Sequence, residues 1–145
     1  MKVLLKDMVG TLKNCEFKNA VIPMGIDEMG NFVYENYSKM NNIFVCGATG
    51  SGKSVFLDNI LLSLTKQLNS DKLDLIIFDP KRVEFLDLRS KGYMVITDCC
   101  DAISICNDLV VEMERRYGIF VDHKVKNIEE YNEKEQNEKL KHIVV

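Results

Sequence analysis

The stretch NNIFVCGATGSGKSVFLDNILLSL, Asn41–Leu64, decides the fold of this chain. Its first part, Asn42–Cys46, is a short continuous apolar run, which is typical of a parallel strand buried on both faces. A glycine-rich turn follows the run. After the turn, apolar residues recur so densely up to Leu68 that we predict a helix covered on most of its sides. Strand, turn and helix in this order place the turn at the carboxyl edge of a sheet, where ligands bind.

The turn fits the phosphate-loop pattern, in which a glycine and four further residues precede Gly-Lys-Ser or Gly-Lys-Thr. Glycines let the backbone curl so that successive N–H groups point at phosphate oxygens, and the helix that follows adds its positive N-terminal end. Lys53 can then reach the β- and γ-phosphates, and the Ser54 hydroxyl can become a ligand of Mg²⁺. The predicted ATP-binding residues are Gly47, Ala48, Thr49, Gly50, Ser51, Gly52, Lys53 and Ser54.

The rest of the chain alternates strand and helix signals, which predicts an α/β fold with right-handed crossovers. Before the loop, MGIDEMGNFVYEN predicts a β-hairpin, because Gly and Asn supply the positive backbone angles of a tight reversal. After the loop, three strands and two helices are predicted. The strands are Leu73–Phe78, Tyr93–Thr97 and the run HIVV that opens at His142, and the helices are Cys100–Phe120 and Ile128–Leu140.

Composition and charge restrict the class of protein. A chain of 145 residues with 46% hydrophobic and 28% charged residues is globular in composition and fits one domain. The net charge of −3 gives no global attraction to nucleic acid. No window reaches the roughly 20 apolar residues of a membrane span, so we expect no transmembrane segment. The five cysteines form no paired clusters, and three of them lie in or beside apolar runs, where we expect reduced thiols that behave as small buried hydrophobes.

Hydrolysis of a bound nucleotide requires an acidic residue at a strand end that holds Mg²⁺ through water. Asp79 ends the strand LIIFD, but Pro80 follows it where a second acid would stand. We therefore interpret Asp79 as a turn residue, and we expect the run KHIVV to be the strand that leads to the metal-holding acid. Arg115 and Arg116 are interpreted as a solvated helix face paired with Glu112.

An ordered series of motifs resembles the motor domain of the FtsK/SpoIIIE family of bacterial DNA translocases. The series is MGIDEMGNFV, then YSKMNNIFVCGATGSGKSVFLDNILLSL, LIIFDPKRVEF, VITD, VVEMERRYGIF and VKNIEEYNEK. The resemblance implies a RecA-like P-loop ATPase, incomplete at its C-terminus, that works in the cytoplasm as a homo-hexameric ring on double-stranded DNA. It also implies a lead-in hairpin segment at residues 1–40 and a partial ATPase domain at residues 41–145. Asp79 and Lys81 match a family motif near the nucleotide edge.

The family's Walker B acids and arginine finger match no residue of this chain, so we predict no catalytic residue within it. The leading hypothesis is the ATP-binding part of a DNA translocase motor, which alone binds nucleotide with Mg²⁺ without efficient hydrolysis. Two alternatives are a non-catalytic regulatory subunit of a motor ring and a small P-loop kinase that acts on a metabolite, with Asp79 as its metal-side acid.

Overall fold

The structure is a computed structural model that describes residues 20–82, 85–135 and 138–145. The chain divides into two compact units, one ending at Asn69 and the other starting at Ser70. Within the first unit, the early part of the 1–40 segment, including Cys15, lies outside the described residues. So do Val83 and Glu84 of the motif LIIFDPKRVEF.

The first unit begins with the predicted hairpin. Strands β1 (Val21–Ile26) and β2 (Phe32–Asn36) pair antiparallel, with a bulge between Pro23 and Gly25. The reversal is held by Asp27, whose Oδ1 accepts hydrogen bonds from the backbone N–H groups of Met29 and Asn31 at 2.9 and 2.8 Å. A side-chain bond from Asn31 is the main cause that lowers the pKa of Asp27. The hairpin prediction is therefore confirmed.

Helix α1 (Lys53–Gln67) follows the glycine-rich turn and packs on β1. Its buried residues lie on one face of its second half and meet the buried start of β1. Val55 and Leu62 are exposed, whereas the other apolar residues of the helix are buried or partly buried, so the predicted cover on most sides is present except along this strip. The buried residues of this contact are Ile60, Ser63 and Leu64 on the helix and Val21 and Ile22 on the strand.

Among the described residues, the predicted strand Asn42–Cys46 has no pairing partner. No ladder hydrogen bond to another described residue assigns this segment to a sheet, and Phe44 is 90% exposed. A strand exists only where a neighbouring strand supplies its backbone partners, and an apolar run cannot show which strand that is. The run predicts burial of this segment, but the described part of the chain supplies no pairing for it.

The second unit holds a three-stranded parallel sheet. Strand β3 (Leu73–Phe78) is central, with β4 (Met94–Ile96) on one side and β5 (His142–Val144) on the other. Leu73, Leu75 and Ile77 of β3 are all buried. The three predicted strands of this half are confirmed to within a residue or two.

The described residues of the second unit also form the helices α2 (Leu86–Ser90), α3 (Cys99–His123) and α4 (Ile128–Lys134). Asp98 caps α3 by accepting hydrogen bonds from the N–H groups of Cys100 and Asp101. Asn127 caps α4 in the same way through the N–H of Glu130. The long helix is confirmed, whereas α4 ends at Lys134, well before the predicted Leu140.

Polar side chains fix the approach to β5. The carboxamide of Asn132 pairs with both backbone groups of Leu140, donating to its C=O and accepting from its N–H at 2.8 Å each. Arg116 donates to the carbonyl of Lys141 at 2.8 Å, and its side chain is only 16% exposed. Arg116 thus connects α3 to the start of β5, and its interpretation as part of a solvated face is wrong.

The predicted pairing of Arg116 with Glu112 is present, with Nε and Oε1 2.6 Å apart. Arg115 also binds Glu112, with Nε 2.6 Å from Oε2, and its side chain is 53% exposed. These two guanidinium groups lower the pKa of Glu112 to about 2, the hydrogen bond from Arg115 being the largest cause. Of the pair, Arg115 alone fits the predicted solvated face.

Two further expectations concern thiols and membranes. Cys46, Cys99, Cys100 and Cys106 are free but exposed, so the expected burial of three of the five thiols is wrong. No helix among the described residues is long and apolar enough to span a membrane.

Candidate phosphate-binding site

The candidate site is the loop Gly47–Ser54 at the start of α1, and it lies entirely in the first unit. The N–H of Ser51 donates to the carbonyl of Ala48 at 3.1 Å, which closes a tight turn inside the loop. Residues 46–52 are all exposed, so the loop backbone is open to solvent. This part of the loop is therefore accessible to a ligand.

Two glycines give the loop its curvature. Gly50 has φ +80° and Gly52 has φ +93°, a region that side-chain-bearing residues rarely adopt. Gly47 differs from these two: a Cβ there would lie 2.6 Å from Oγ of Ser51, so the serine side chain would have to move. The spacing of the glycines in the sequence pattern therefore corresponds to two left-handed positions and one close approach.

Lys53 closes the loop on itself. Its ammonium donates to the carbonyls of Gly47 and Ala48, both at 2.9 Å. This brings the positive charge of Lys53 back over the first residues of the loop. Phosphate oxygens are charged acceptors, and charge-assisted hydrogen bonds are roughly twice as strong as neutral ones. A bound phosphate can therefore take over the bonds that Lys53 gives to the two carbonyls.

The first turn of α1 adds an anion-binding end. Gly52 is the N-cap and contributes no side chain to the free N–H groups that follow, and no acidic residue stands in the first turn. The positive end of the helix is thus left for an external anion. Ser54, second in the helix and partly buried, has the hydroxyl oxygen that Mg²⁺ accepts as a ligand.

Asp79 lies in the second unit, directly after β3, and is 5% exposed. Its N–H donates to the carbonyl of Ile96 at 2.8 Å, which extends the β3–β4 pairing by one residue. Its Oδ1 and its carbonyl both accept from the N–H of Arg82, at 3.2 and 3.1 Å. Asp79 therefore closes a β-turn over Pro80 and Lys81, as its interpretation as a turn residue predicts. Lys81 is exposed on this turn.

Ser63 and Gln67 were not predicted from the sequence as functional residues. The structure places them at the other end of α1. Both side chains bind the backbone of Val21, and Ser63 has no exposed surface. A serine and a glutamine four residues apart on an apolar helix face were the available signal. Buried polar residues are hydrogen-bonded, and spacing of four places them side by side.

The comparison with protein families identifies the chain's relatives. The model of the FtsK/SpoIIIE family matches residues 5–145. The chain belongs to the FtsK/SpoIIIE family. Among curated members, the DNA translocase FtsK of Caldanaerobacter subterraneus subsp. tengcongensis is 37% identical over 147 residues, which cover 99% of this chain and 21% of the relative. That of Campylobacter jejuni serotype O:2 is 41% identical over 139 residues, covering 89% and 15%.

The family likeness extends to a differently named member and to solved structures. DNA translocase SftA of Bacillus subtilis is 33% identical over 96% of this chain and 16% of its own length. The pCW3 conjugation coupling protein TcpA, in a monomer form with ATPγS, aligns with a TM-score of 0.75 at 32% identity, over 89% of this chain and 35% of TcpA. The cytoplasmic domain of EssC aligns with a TM-score of 0.74 at 29% identity, over 86% and 25%.

These likenesses confirm the predicted fold class, a RecA-like P-loop NTPase with a mainly parallel sheet preceded by a short hairpin. The chain spans about a fifth or less of the length of the curated family members named here. Membership in a family of DNA-translocase motors is therefore established for this chain, and the activities of whole members are not.

Proposed function

We propose that this chain is the ATP-binding part of an FtsK-type motor that couples ATP hydrolysis to movement along double-stranded DNA. The observation that carries the proposal is the loop Gly47–Ser54, with its two left-handed glycines, its uncapped helix start and its inward-folded lysine. A loop of exposed N–H groups at a helix N-terminus, with one lysine, suits the β- and γ-phosphates of a nucleotide. The TcpA likeness supports ATP, because that structure was determined with ATPγS.

Each residue of the loop has a part in this proposal. The backbone from Gly47 to Gly52 cradles the phosphates, and Lys53 exchanges its two carbonyl partners for phosphate oxygens. Ser54 binds Mg²⁺, which would neutralise charge between the β- and γ-phosphates. The nearness of Asp79 and Lys81 to the nucleotide stays a prediction. So does the division at residue 40 between a lead-in segment and the ATPase part.

The residues described here supply little for hydrolysis. Asp79 and Asp98 follow the carboxyl ends of β3 and β4, where a metal-holding acid is expected. Asp79 is buried in its turn, and Asp98 caps α3. We therefore propose that this chain alone binds nucleotide with Mg²⁺ without efficient hydrolysis. Movement along DNA, a homo-oligomeric ring and a cytoplasmic location are proposed for the complete motor, by analogy with its relatives.

Titration of the whole chain with a fluorescent ATP analogue and Mg²⁺ tests the proposal. We expect Lys53→Ala to weaken binding by about 10- to 150-fold, because hydrogen bonds to charged groups contribute about 1.5–3 kcal/mol. Lys66→Ala is the matched control, since Lys66 is an exposed lysine in the last turn of the same helix. Equal affinity in Lys53→Ala and Lys66→Ala would refute the proposed site.

A second measurement addresses hydrolysis. We expect phosphate release by the isolated chain to stay at background, with or without double-stranded DNA, while nucleotide binding persists. Multiple-turnover hydrolysis by the chain alone would contradict the proposal. Substitution of Asp79 in an active chain would then show whether this aspartate holds the metal.

A further inference from the structure

The end of α1 opposite the phosphate loop is fastened to the hairpin by a cluster of polar side chains. The carboxamide of Gln67 accepts from the N–H of Val21 at 3.0 Å and donates to the carbonyl of the same residue at 2.7 Å. Ser63 donates to that carbonyl at 3.1 Å and accepts from Gln67 at 2.8 Å. A single residue of β1 is thus bound through both of its backbone groups.

This cluster is specific in geometry and buried except at Gln67, which is partly buried. Val21 is 1% exposed, Ser63 is fully buried, and Leu64 beside them is 1% exposed. A carboxamide offers the same donor and acceptor as a peptide group, so Gln67 occupies the place that a neighbouring strand would take beside Val21. Apolar side chains would pack the helix on the hairpin equally well, but they would not fix its position along the strand. The hydrogen bonds set that position.

The cluster also closes a circuit through the phosphate loop. From Val21 the chain runs through the hairpin, whose two ends are joined by a bond of 3.0 Å from the N–H of Tyr37 to the carbonyl of Ala20. It continues through the irregular stretch of residues 40–46 into the loop and returns along α1 to Gln67. At 1.5 Å per residue, Gln67 lies about 21 Å along the helix from Lys53. The stretch entering the loop is therefore held at one end by the hairpin and at the other by Lys53.

We propose that Ser63 and Gln67 are positioning residues for the phosphate loop, which couple nucleotide binding at the start of α1 to the hairpin at its end. The proposal rests on the proposed nucleotide site. While the hairpin is fastened, the stretch entering the loop has few conformations to lose when phosphate orders it. If the hairpin is released, the nucleotide must order this stretch as well, and binding weakens without any contact between these side chains and the ligand.

The test compares Gln67→Met with Lys66→Met in the whole chain. Methionine keeps the length and helix propensity of glutamine and removes both bonds to Val21. We expect the dissociation constant for the ATP analogue with Mg²⁺ to rise about threefold to tenfold in Gln67→Met, from the loss of preorganisation. It should stay unchanged in Lys66→Met, because the side chain of Lys66 is exposed. Ser63→Ala is the second variant if Gln67→Met fails to fold, as judged by circular dichroism.

Amide hydrogen exchange distinguishes a positioning role from a purely structural one, because only a positioning role makes nucleotide binding alter exchange in β1. In the unaltered chain, nucleotide should slow amide exchange both in the phosphate loop and in the peptide covering Val21–Ile26. In Gln67→Met it should slow exchange in the loop alone. If nucleotide protects the loop of the unaltered chain but leaves β1 unaffected, the coupling is refuted and the nucleotide site stands. If nucleotide protects neither region, the proposed nucleotide site itself is refuted.

Discussion

Two tight turns follow apolar runs in this chain, and they are built in opposite ways. The phosphate loop after Cys46 is exposed and takes its left-handed angles from Gly50 and Gly52. The turn after Phe78 is closed by the buried Asp79 and has a non-glycine residue, Arg82, at φ +60°. The first turn is open to solvent, whereas in the second turn the N–H of Arg82 donates to the turn's own aspartate.

The difference shows what each turn can do. A turn whose N–H groups are satisfied by its own side chain is complete without a ligand, and its sequence serves the fold. A loop that glycines open, held by one lysine on two carbonyls, can exchange those bonds for phosphate. We therefore expect substitutions in the Asp79 turn to act mainly on stability and substitutions in the phosphate loop to act mainly on nucleotide affinity.

Among the substitutions that test this comparison, Asp79→Ala is expected to have the largest effect, which is on the free energy of unfolding. It removes a buried carboxylate that accepts from the N–H of Arg82, and hydrogen bonds to charged groups contribute about 1.5–3 kcal/mol. The free energy of unfolding should fall by that amount in urea titrations. Asp79→Asn keeps an acceptor oxygen and should lose less. If Asp79→Ala leaves stability unchanged and weakens nucleotide binding instead, the turn belongs to the nucleotide site and the contrast fails.

The sequence predicted the loop and the turn through different signals. Glycine spacing identified Gly47–Ser54, because this chemistry requires particular residue types at particular positions. The Asp-Pro pair predicted the turn at Asp79, because proline fixes the backbone angle that the second position of a turn requires. Two features could not be predicted: Asn42–Cys46 has no strand partner among the described residues, and Arg116 contacts Lys141. Both depend on which distant backbone comes alongside. Loops and turns that require particular residue types can be predicted from the local sequence, whereas contacts between residues distant in the sequence cannot.

Gly52→Ala should have the next largest effect. A side chain at φ +93° is strained by about 1–2 kcal/mol, which corresponds to about 5- to 30-fold weaker nucleotide binding if the loop must adopt this angle to bind. Gly47→Ala is the matched comparison. The Cβ that it adds comes too close only to Oγ of Ser51, which can rotate away, and lies at an ordinary contact distance of 3.7 Å from Cγ of Lys53. Affinity measurements on both variants should therefore rank Gly52→Ala as the more damaging, and the reverse order would argue against the observed loop conformation.

Arg82→Gly should have a smaller effect and should raise the free energy of unfolding. Relief of a left-handed non-glycine residue contributes about 1–2 kcal/mol, and the entropy of the added glycine offsets about 0.5–1 kcal/mol of it. Glycine is also the preferred residue at the fourth position of such a turn. We expect a net gain of about 0.5–1 kcal/mol in the free energy of unfolding, with nucleotide affinity unchanged. Lys81→Gly, at an exposed neighbouring position, should give no such gain.

The smallest effect concerns pH and the second unit. The pKa of Glu112 is lowered from its ordinary 4.5 to about 2, chiefly by the hydrogen bond from Arg115. A carboxylate with a lowered folded-state pKa contributes stability that is fully present above pH 4.5 and is lost as the pH falls towards 2. Because the side chain of Arg115 is 53% exposed and that of Glu112 is 28% exposed, solvent screening limits this contribution to roughly 0.3–0.5 kcal/mol per pair.

Glu112→Gln separates this contribution from other acid effects. The difference in unfolding free energy between the unaltered chain and Glu112→Gln should be constant from pH 7 to about 5 and should shrink between 4.5 and 2.

Arg116→Met should lower the free energy of unfolding more than Arg115→Met at neutral pH, because Arg116 alone of the two also binds the carbonyl of Lys141. Equal losses in the two arginine variants would mean that the connection between α3 and β5 adds nothing to stability. In that case, the buried carboxylate of Asp79 would stabilise the second unit more than the charge of Arg116 does.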